Sequence, residues 1–193
     1  DDVQGLPVGG IVPHAGWYFS GAIACRVFSA LARRLAGQKT ADDSHAPARV
    51  ARVVLFGGHM RPSDPPVMLS SGQIDTPLGR IRVDEDFGTS LLAGMDLVQK
   101  KAARFPDENT LELQYPFIKF FFPDACIVPI LAPPCSSSIS LGKAAAGLAG
   151  SDSGRTLFIG STDMTHYGPD FGMTMAGTGP EAVAWVETQN DAG

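Results

Sequence analysis

The sequence predicts an α/β fold, a single-domain α/β/α sandwich around a mixed, mostly parallel sheet, on three observations. Short apolar runs of strand length, at residues 8–12, 52–56, 127–131 and 156–160, alternate with stretches of helical period. The run at 156–160, Thr-Leu-Phe-Ile-Gly, has no charged residue, as suits a parallel strand covered on both faces. The helical stretches between runs supply the crossovers that parallel strands need. With 193 residues, 44% of them apolar, the chain is about one domain's worth of sequence and can bury a core.

In order along the chain, the first run stops at Pro13, and Ser20 opens a helix in which Ile23, Val27, Leu31 and Leu35 recur every four residues. Residues 37–47 are polar and read as an exposed connection to the strand at 52–56. Between residues 67 and 83 two short strand-like pieces flank Thr76-Pro77-Leu78-Gly79, where proline and glycine favour a turn. Asp84 is placed to cap a helix carrying Phe87, Leu91 and Met95. A third helical pattern over 109–122 sets Leu111, Tyr115, Ile118 and Phe122 on one face, and Pro116 must begin or kink its main part. A strand at 127–131, a small-residue helix over 136–148 and the strand at 156–160 complete the alternation.

Composition removes several classes of function. With 15 basic against 20 acidic residues, a net charge of −5 and a pI near 5.2, the chain has no basic cluster beyond pairs such as Arg33-Arg34 and Lys100-Lys101. Binding to nucleic acid by phosphate neutralisation is therefore not expected. The longest apolar stretches, around 120–122 and 127–132, are cut by Lys, Asp or Pro, well short of the roughly 20 residues that cross a bilayer. No membrane partner is expected. Cysteines 25, 126 and 135 form no C-x-x-C pair, and their odd number argues against a disulfide framework and for a reducing, cytoplasmic setting. The chain starts at Asp1 without a charged-then-apolar leader, so any targeting segment is expected upstream. The 22 glycines and 15 prolines, without repeats, predict tight loops.

Three of the four histidines share a placement: His14, His59 and His166 each follow a predicted strand end. Ligands of open α/β sheets bind along that edge, so the three are expected in one crevice. Each histidine taken alone reads first as a hydrogen-bonding loop residue; the shared placement of the three favours a site. His45, in the polar connection, is expected to be a solvated loop residue. Two neutral imidazoles with a carboxylate suit a divalent transition metal with open positions for Lewis-acid or oxygen chemistry. Asp163 is the visible carboxylate, three residues before His166; one helical turn would project both to the same side, while an N-cap is its structural alternative.

Pro-His-Ala-Gly-x-x-x-Ser-Gly at 13–21, Gly-x-His at 57–59, Leu-Ser-Ser followed by Thr-Pro-Leu-Gly-x-Ile-x-Val-Asp within 69–84, Glu-x-x-Leu-Glu-x-Gln-x-Pro-Phe at 108–117, Ile-Val-Pro-Ile-Leu at 127–131 and Ser-Thr-Asp-Met-Thr-His-Tyr-Gly at 161–168 occur in order. Together they resemble the Memo family over nearly the whole chain. The resemblance implies the fold of the class III extradiol dioxygenases, whose non-haem iron is held by two histidines and a carboxylate. It implies one Memo-like domain over 1–193 without the family's N-terminal and C-terminal extensions. It matches His14 and His59 to metal-binding histidines, and Asp163 and His166 to the site aspartate and an acid/base histidine. It implies Fe²⁺ as cofactor, with Zn²⁺ and Cu as alternatives. Two departures stand out. Asn109 occupies the place of a family histidine, with Glu112 retained, and the family's further C-terminal ligand, a cysteine in Memo and a glutamate in the dioxygenases, has no match in Cys25, Cys126 or Cys135.

Two functions compete on these grounds. The first is a non-haem iron oxidoreductase of dioxygenase type, with His14 and His59 on the metal, His166 moving a proton and Trp17, Tyr18, Asn109 and Glu112 about the substrate. The second is a non-catalytic module binding a peptide or small ligand in the same pocket. A serine hydrolase is a third reading, from Asp163, His166 and Ser161, but no G-x-S-x-G elbow supports it.

Overall fold

The computed structural model describes residues 8–36, 50–93, 95, 98–101, 104–150 and 155–191. The chain divides into two compact units, Asp1–Thr162 and Asp163–Gly193. In chain order the first unit holds β1 (Gly9–Val12), α1 (Trp17–Ala36), β2 (Val50–Gly57), β3 (Val67–Ser71), β4 (Gln73–Thr76), β5 (Gly79–Arg82) and α2 (Glu85–Leu92). There follow β6 (Val98–Lys101), α3 (Asn109–Glu112), α4 (Tyr115–Phe121), β7 (Cys126–Leu131), α5 (Ser136–Gly150) and β8 (Arg155–Ser161).

Six strands form one sheet in the order β1-β8-β2-β7-β3-β6, and β4 and β5 form a separate hairpin. The first four neighbours run parallel, β3 is antiparallel to β7, and β6 is parallel to β3. This is the mixed, mostly parallel α/β sheet that the alternating sequence predicts. Period-two burial explains the layers. Val53 and Leu55 of β2 face a core with Phe28, Leu111 and Ile118 from α1, α3 and α4, whereas Val54 faces a second core with Phe87, Leu91, Leu141 and Ala145 from α2 and α5. Each such side chain, fully buried, contributes about 1.5–3 kcal/mol.

Local chemistry sets the element ends. Asp84 caps α2 as expected, its Oδ1 accepting from Phe87 N at 3.0 Å, but the helix ends at Leu92 and leaves Met95 outside it. The 109–122 pattern is two helices, and Pro116 stands in the first turn of α4, where its missing N–H costs nothing. Helix α1 begins at Trp17, not at Ser20. Ser20 is buried and its hydroxyl donates to Ala15 O at 2.5 Å. The buried stripe of that helix is Ala24, Phe28, Leu31 and Leu35, with Ile23 left 54% exposed. The four-residue spacing therefore begins off the buried face at Ile23 and joins it at Leu31 and Leu35, while the exposed aromatic residues of the first turn mask the true start. The short polar strand β6 and the separation of β3 from β4 at Gly72 (φ 112°) carry no apolar signal and were not expected from sequence.

In the second unit a 3-10 turn, Pro169–Phe171, precedes α6 (Pro180–Asp191). Asn190 Oδ1 accepts from both the N–H and the hydroxyl of Thr165, at 3.2 and 2.8 Å, and pins residues before the turn to the end of α6. The Tyr167 hydroxyl donates to Gly177 O at 2.9 Å and accepts from Ala176 N at 2.7 Å. No helix of the described residues is long and apolar enough to cross a membrane.

Candidate functional site

Parallel register brings the predicted histidines of the first unit to one edge. Val12 pairs with Ser161 and Phe56 with Gly160, so β1, β2 and β8 end level. The residues just past β1 and β2 are then neighbours. The His14 and His59 rings lie 5.1 Å apart, centroid to centroid, at 80°. His14 is buried, whereas 57% of the His59 side chain is exposed.

His59 is held by Glu108, the residue preceding α3. One carboxylate oxygen lies 2.9 Å from His59 Nδ1 and the other accepts the His59 backbone N–H at 3.4 Å. The same carboxylate caps α3 by accepting from Thr110 N at 3.3 Å. Partial burial raises the Glu108 carboxyl, but the bond to the His59 ring and the N–H donors of Thr110 and His59 outweigh it and bring it below the ordinary glutamate value. A carboxylate facing Nδ1 assigns the proton to that nitrogen, which leaves Nε2 with its lone pair.

Two glycines let this contact form. A Cβ at Gly57 would stand 2.6 Å from Thr110 Oγ1 and 2.9 Å from Leu111 Cδ2, so only glycine admits α3 this close to the end of β2. Gly58 takes a φ of 116°, a conformation disfavoured for residues bearing a Cβ, and turns the chain into His59.

His14 is anchored differently. Its Nδ1 is 3.4 Å from Ser161 Oγ, which accepts from Gln114 Nε2 at 3.3 Å, and the same amide donates to Pro13 O at 3.0 Å. Gln114, between α3 and α4, thus ties the loop after β1 to the end of β8. Its Oε1 and Thr110 Oγ1 are buried without a hydrogen-bond partner among the described residues.

The donor set fits part of a metal site. At bond lengths of about 2.0–2.1 Å, two imidazoles on one ion at a tetrahedral angle have ring centres roughly 5 Å apart, the spacing this pair takes. A neutral ring with Nδ1–H on a carboxylate is the form in which histidine commonly ligates. Among the described residues no group of three or more His, Cys, Asp or Glu is disposed to hold a metal, so the pair supplies two positions and no third.

The other predicted residues are placed as follows. Trp17 donates its indole N–H to Leu113 O at 3.0 Å and packs on Phe117, while Tyr18 is 94% exposed against Phe19. Asn109 and Glu112 are exposed at the two ends of α3. The three cysteines are unlinked and half-buried. His45 lies outside the described residues. In the second unit Asp163 and His166 meet, Oδ2 to Nε2 at 3.2 Å, and the His166 ring rests on Phe171. The segment joining them is irregular and not helical, so the pair does not arise from a helical turn, and the Asp163 side chain turns to the imidazole.

Sequence reasoning missed Glu108 and Gln114 as supports of the pair. Both stand in the Glu-x-x-Leu-Glu-x-Gln motif, but an acid just before a helix reads first as an N-cap, which Glu108 also is.

Comparison with known proteins identifies a family. A family model described as Memo-like protein matches residues 7–185. A MEMO1 family protein of Pyrobaculum arsenaticum is 35% identical over 165 residues, 84% of this chain and 54% of that protein. MEMO1 family proteins of Pyrobaculum aerophilum and Methanosarcina barkeri are 32% and 30% identical, over 86% and 84% of this chain and 55% and 56% of their own lengths. The chain spans about half the length of the curated relatives it matches. The matched region contains both histidine-bearing strand ends and the Glu108 segment that supports them, and on that extent of similarity the chain belongs to the Memo-like protein family.

Proposed function

We propose that this Memo-like protein is a non-haem metal-dependent enzyme of dioxygenase type, in which His14 and His59 hold a divalent ion, iron before zinc or copper. One observation carries the reading: two imidazoles 5.1 Å apart at level strand ends, one of them oriented by a carboxylate. Bound iron would supply Lewis acidity and redox chemistry toward dioxygen. The chain's own residues prepare for it. Glu108 keeps the His59 Nε2 lone pair available, and Ser161 with Gln114 holds His14 in its buried place. His166, half exposed and backed by Asp163, is suited to take and return a proton. Three unlinked thiols fit a reducing, cytoplasmic compartment.

A second reading, a module that binds a peptide or small ligand without turnover, is favoured by the lack of a third ligand beside the pair among the described residues. Elemental analysis of anaerobically purified protein, with oxygen uptake measured on candidate substrates, decides between them. The enzyme reading requires near-stoichiometric metal, lost in the His14→Ala/His59→Ala double variant. Metal-free wild-type protein that still binds ligand establishes the second. His166→Ala should keep its metal and lose turnover by roughly 10²-fold or more.

A further inference from the structure

Glu108 borders a second feature that the histidine pair does not use. A cavity of about 350 Å³ lies between the β4–β5 hairpin and the segment around α3, with Asp75, Asp107, Glu108, Glu112, Phe105 and Tyr115 in its wall. The wall holds four carboxylates and no basic residue. Asp75 is neutralised at the surface by Arg80, 2.8 Å away, and Glu108 is engaged by His59. The carboxylates of Asp107 and Glu112 have no ion-pair or hydrogen-bond partner among the described residues.

An independent observation comes from Tyr115. The residue is only 6% exposed, yet its hydroxyl makes no hydrogen bond among the described residues. The side-chain atoms fully enclosed without a partner are those of Thr110 and Gln114; the Tyr115 oxygen is not among them, and Tyr115 lines the cavity together with Glu112, whose charge reaches its phenol. Burial, and then the Glu112 carboxylate, push this phenol well above the ordinary tyrosine range, so it is neutral and keeps a lone pair to offer. Buried tyrosine hydroxyls usually have a partner. The carboxylates do not converge as metal ligands do. They are spread along a wall that is otherwise mostly apolar and aromatic, with Gln73 and Thr76 as its neutral polar members.

We propose that this cavity binds a primary ammonium or guanidinium group carried on an apolar stem. Glu112 and Asp107 pair with the charge, the Tyr115 hydroxyl accepts one N–H, and the Phe105 and Tyr115 rings take the stem and the face of the cation. The same chemistry is offered by a free alkyl diamine and by a lysine or arginine side chain of a peptide. The inference is independent of metal at the histidine pair.

The test is a titration of the full chain followed by amide NMR shifts, with cadaverine, a capped Ala-Lys-Ala peptide, its acetyl-lysine counterpart and 1-pentanol as probes. Saturable shifts over residues 107–116 are expected with cadaverine or the lysine peptide and not with acetyl-lysine or 1-pentanol; which amine binds identifies the source. Kd should rise about tenfold or more in Tyr115→Phe, and at least as much in Asp107→Asn/Glu112→Gln, whose exposed substitutions leave the core untouched. The inference is overturned if the neutral probes bind as well as the amines, if neither amine binds up to about 10 mM, a ΔG near −2.7 kcal/mol, or if the double variant keeps the wild-type Kd.

Discussion

The Glu108 carboxylate lies 2.9 Å from His59 Nδ1 while capping α3 through Thr110 N. One side chain therefore orients a candidate ligand and caps the helix that follows it. Removing it should separate into two measurable losses. Glu108→Ala is expected to destabilise the fold by about 1 kcal/mol, the usual worth of an N-cap, read by denaturant unfolding of metal-free protein. It should also weaken metal binding by about 10- to 100-fold, read by chelator competition.

The sign of the Glu108 shift sets a pH dependence. A carboxyl held below its ordinary value contributes stability that is full above the unfolded value and fades as pH falls through the folded one. The stability difference between the wild type and Glu108→Gln should be constant near neutrality and shrink as pH falls from about 5 to about 3. A difference that grows on acidification would contradict the assignment.

Gly57→Ala should push α3 off the end of β2, since the new methyl would meet Thr110 and Leu111. The expected cost is about 1–3 kcal/mol of stability, typical of overpacking. The His59 Nδ1 resonance should move with it, because Glu108 is displaced along with its helix. Unchanged stability and an unchanged imidazole spectrum would show that the contact tolerates a side chain.

Cys135 should be the first thiol to react. The Ser137 hydroxyl, 3.0 Å from its sulfur, holds it below the ordinary thiol range against the opposing effect of burial, with help from backbone N–H groups at the start of α5. Limited alkylation with iodoacetamide near neutral pH, mapped by peptide mass spectrometry, should modify Cys135 before Cys25 and Cys126. Ser137→Ala should slow it.

Much of the framework is legible in the sequence because burial leaves a period. Residues 52–56, 127–131 and 156–160 announce central strands, and Asp84 announces its helix. The pair His14 and His59 follows from strand ends alone, since parallel register does the rest. What escapes is what burial does not mark. The strand β6 is Val-Gln-Lys-Lys, half of it exposed, and helix α6 buries only Ala182. Glu108 and Gln114 act through single hydrogen bonds across the chain, 49 and 101 residues from their partners, a separation that periodicity cannot register.

The two halves of the histidine pair are mounted on strands of different standing in the sheet. His59 follows β2, flanked on both sides by β8 and β7, whereas His14 follows β1, which has four residues, one neighbour and an outward Ile11 that is 69% exposed. Outer strands open more readily than central ones, so the amides of β1 should exchange with solvent far faster than those of β2. The lifetime of the pair is then set by the fraying of β1 and not by global unfolding. Gln114, reaching across to Pro13 O, acts as a clasp on that edge, and its loss would shorten how long the two rings stay together before it altered how they sit.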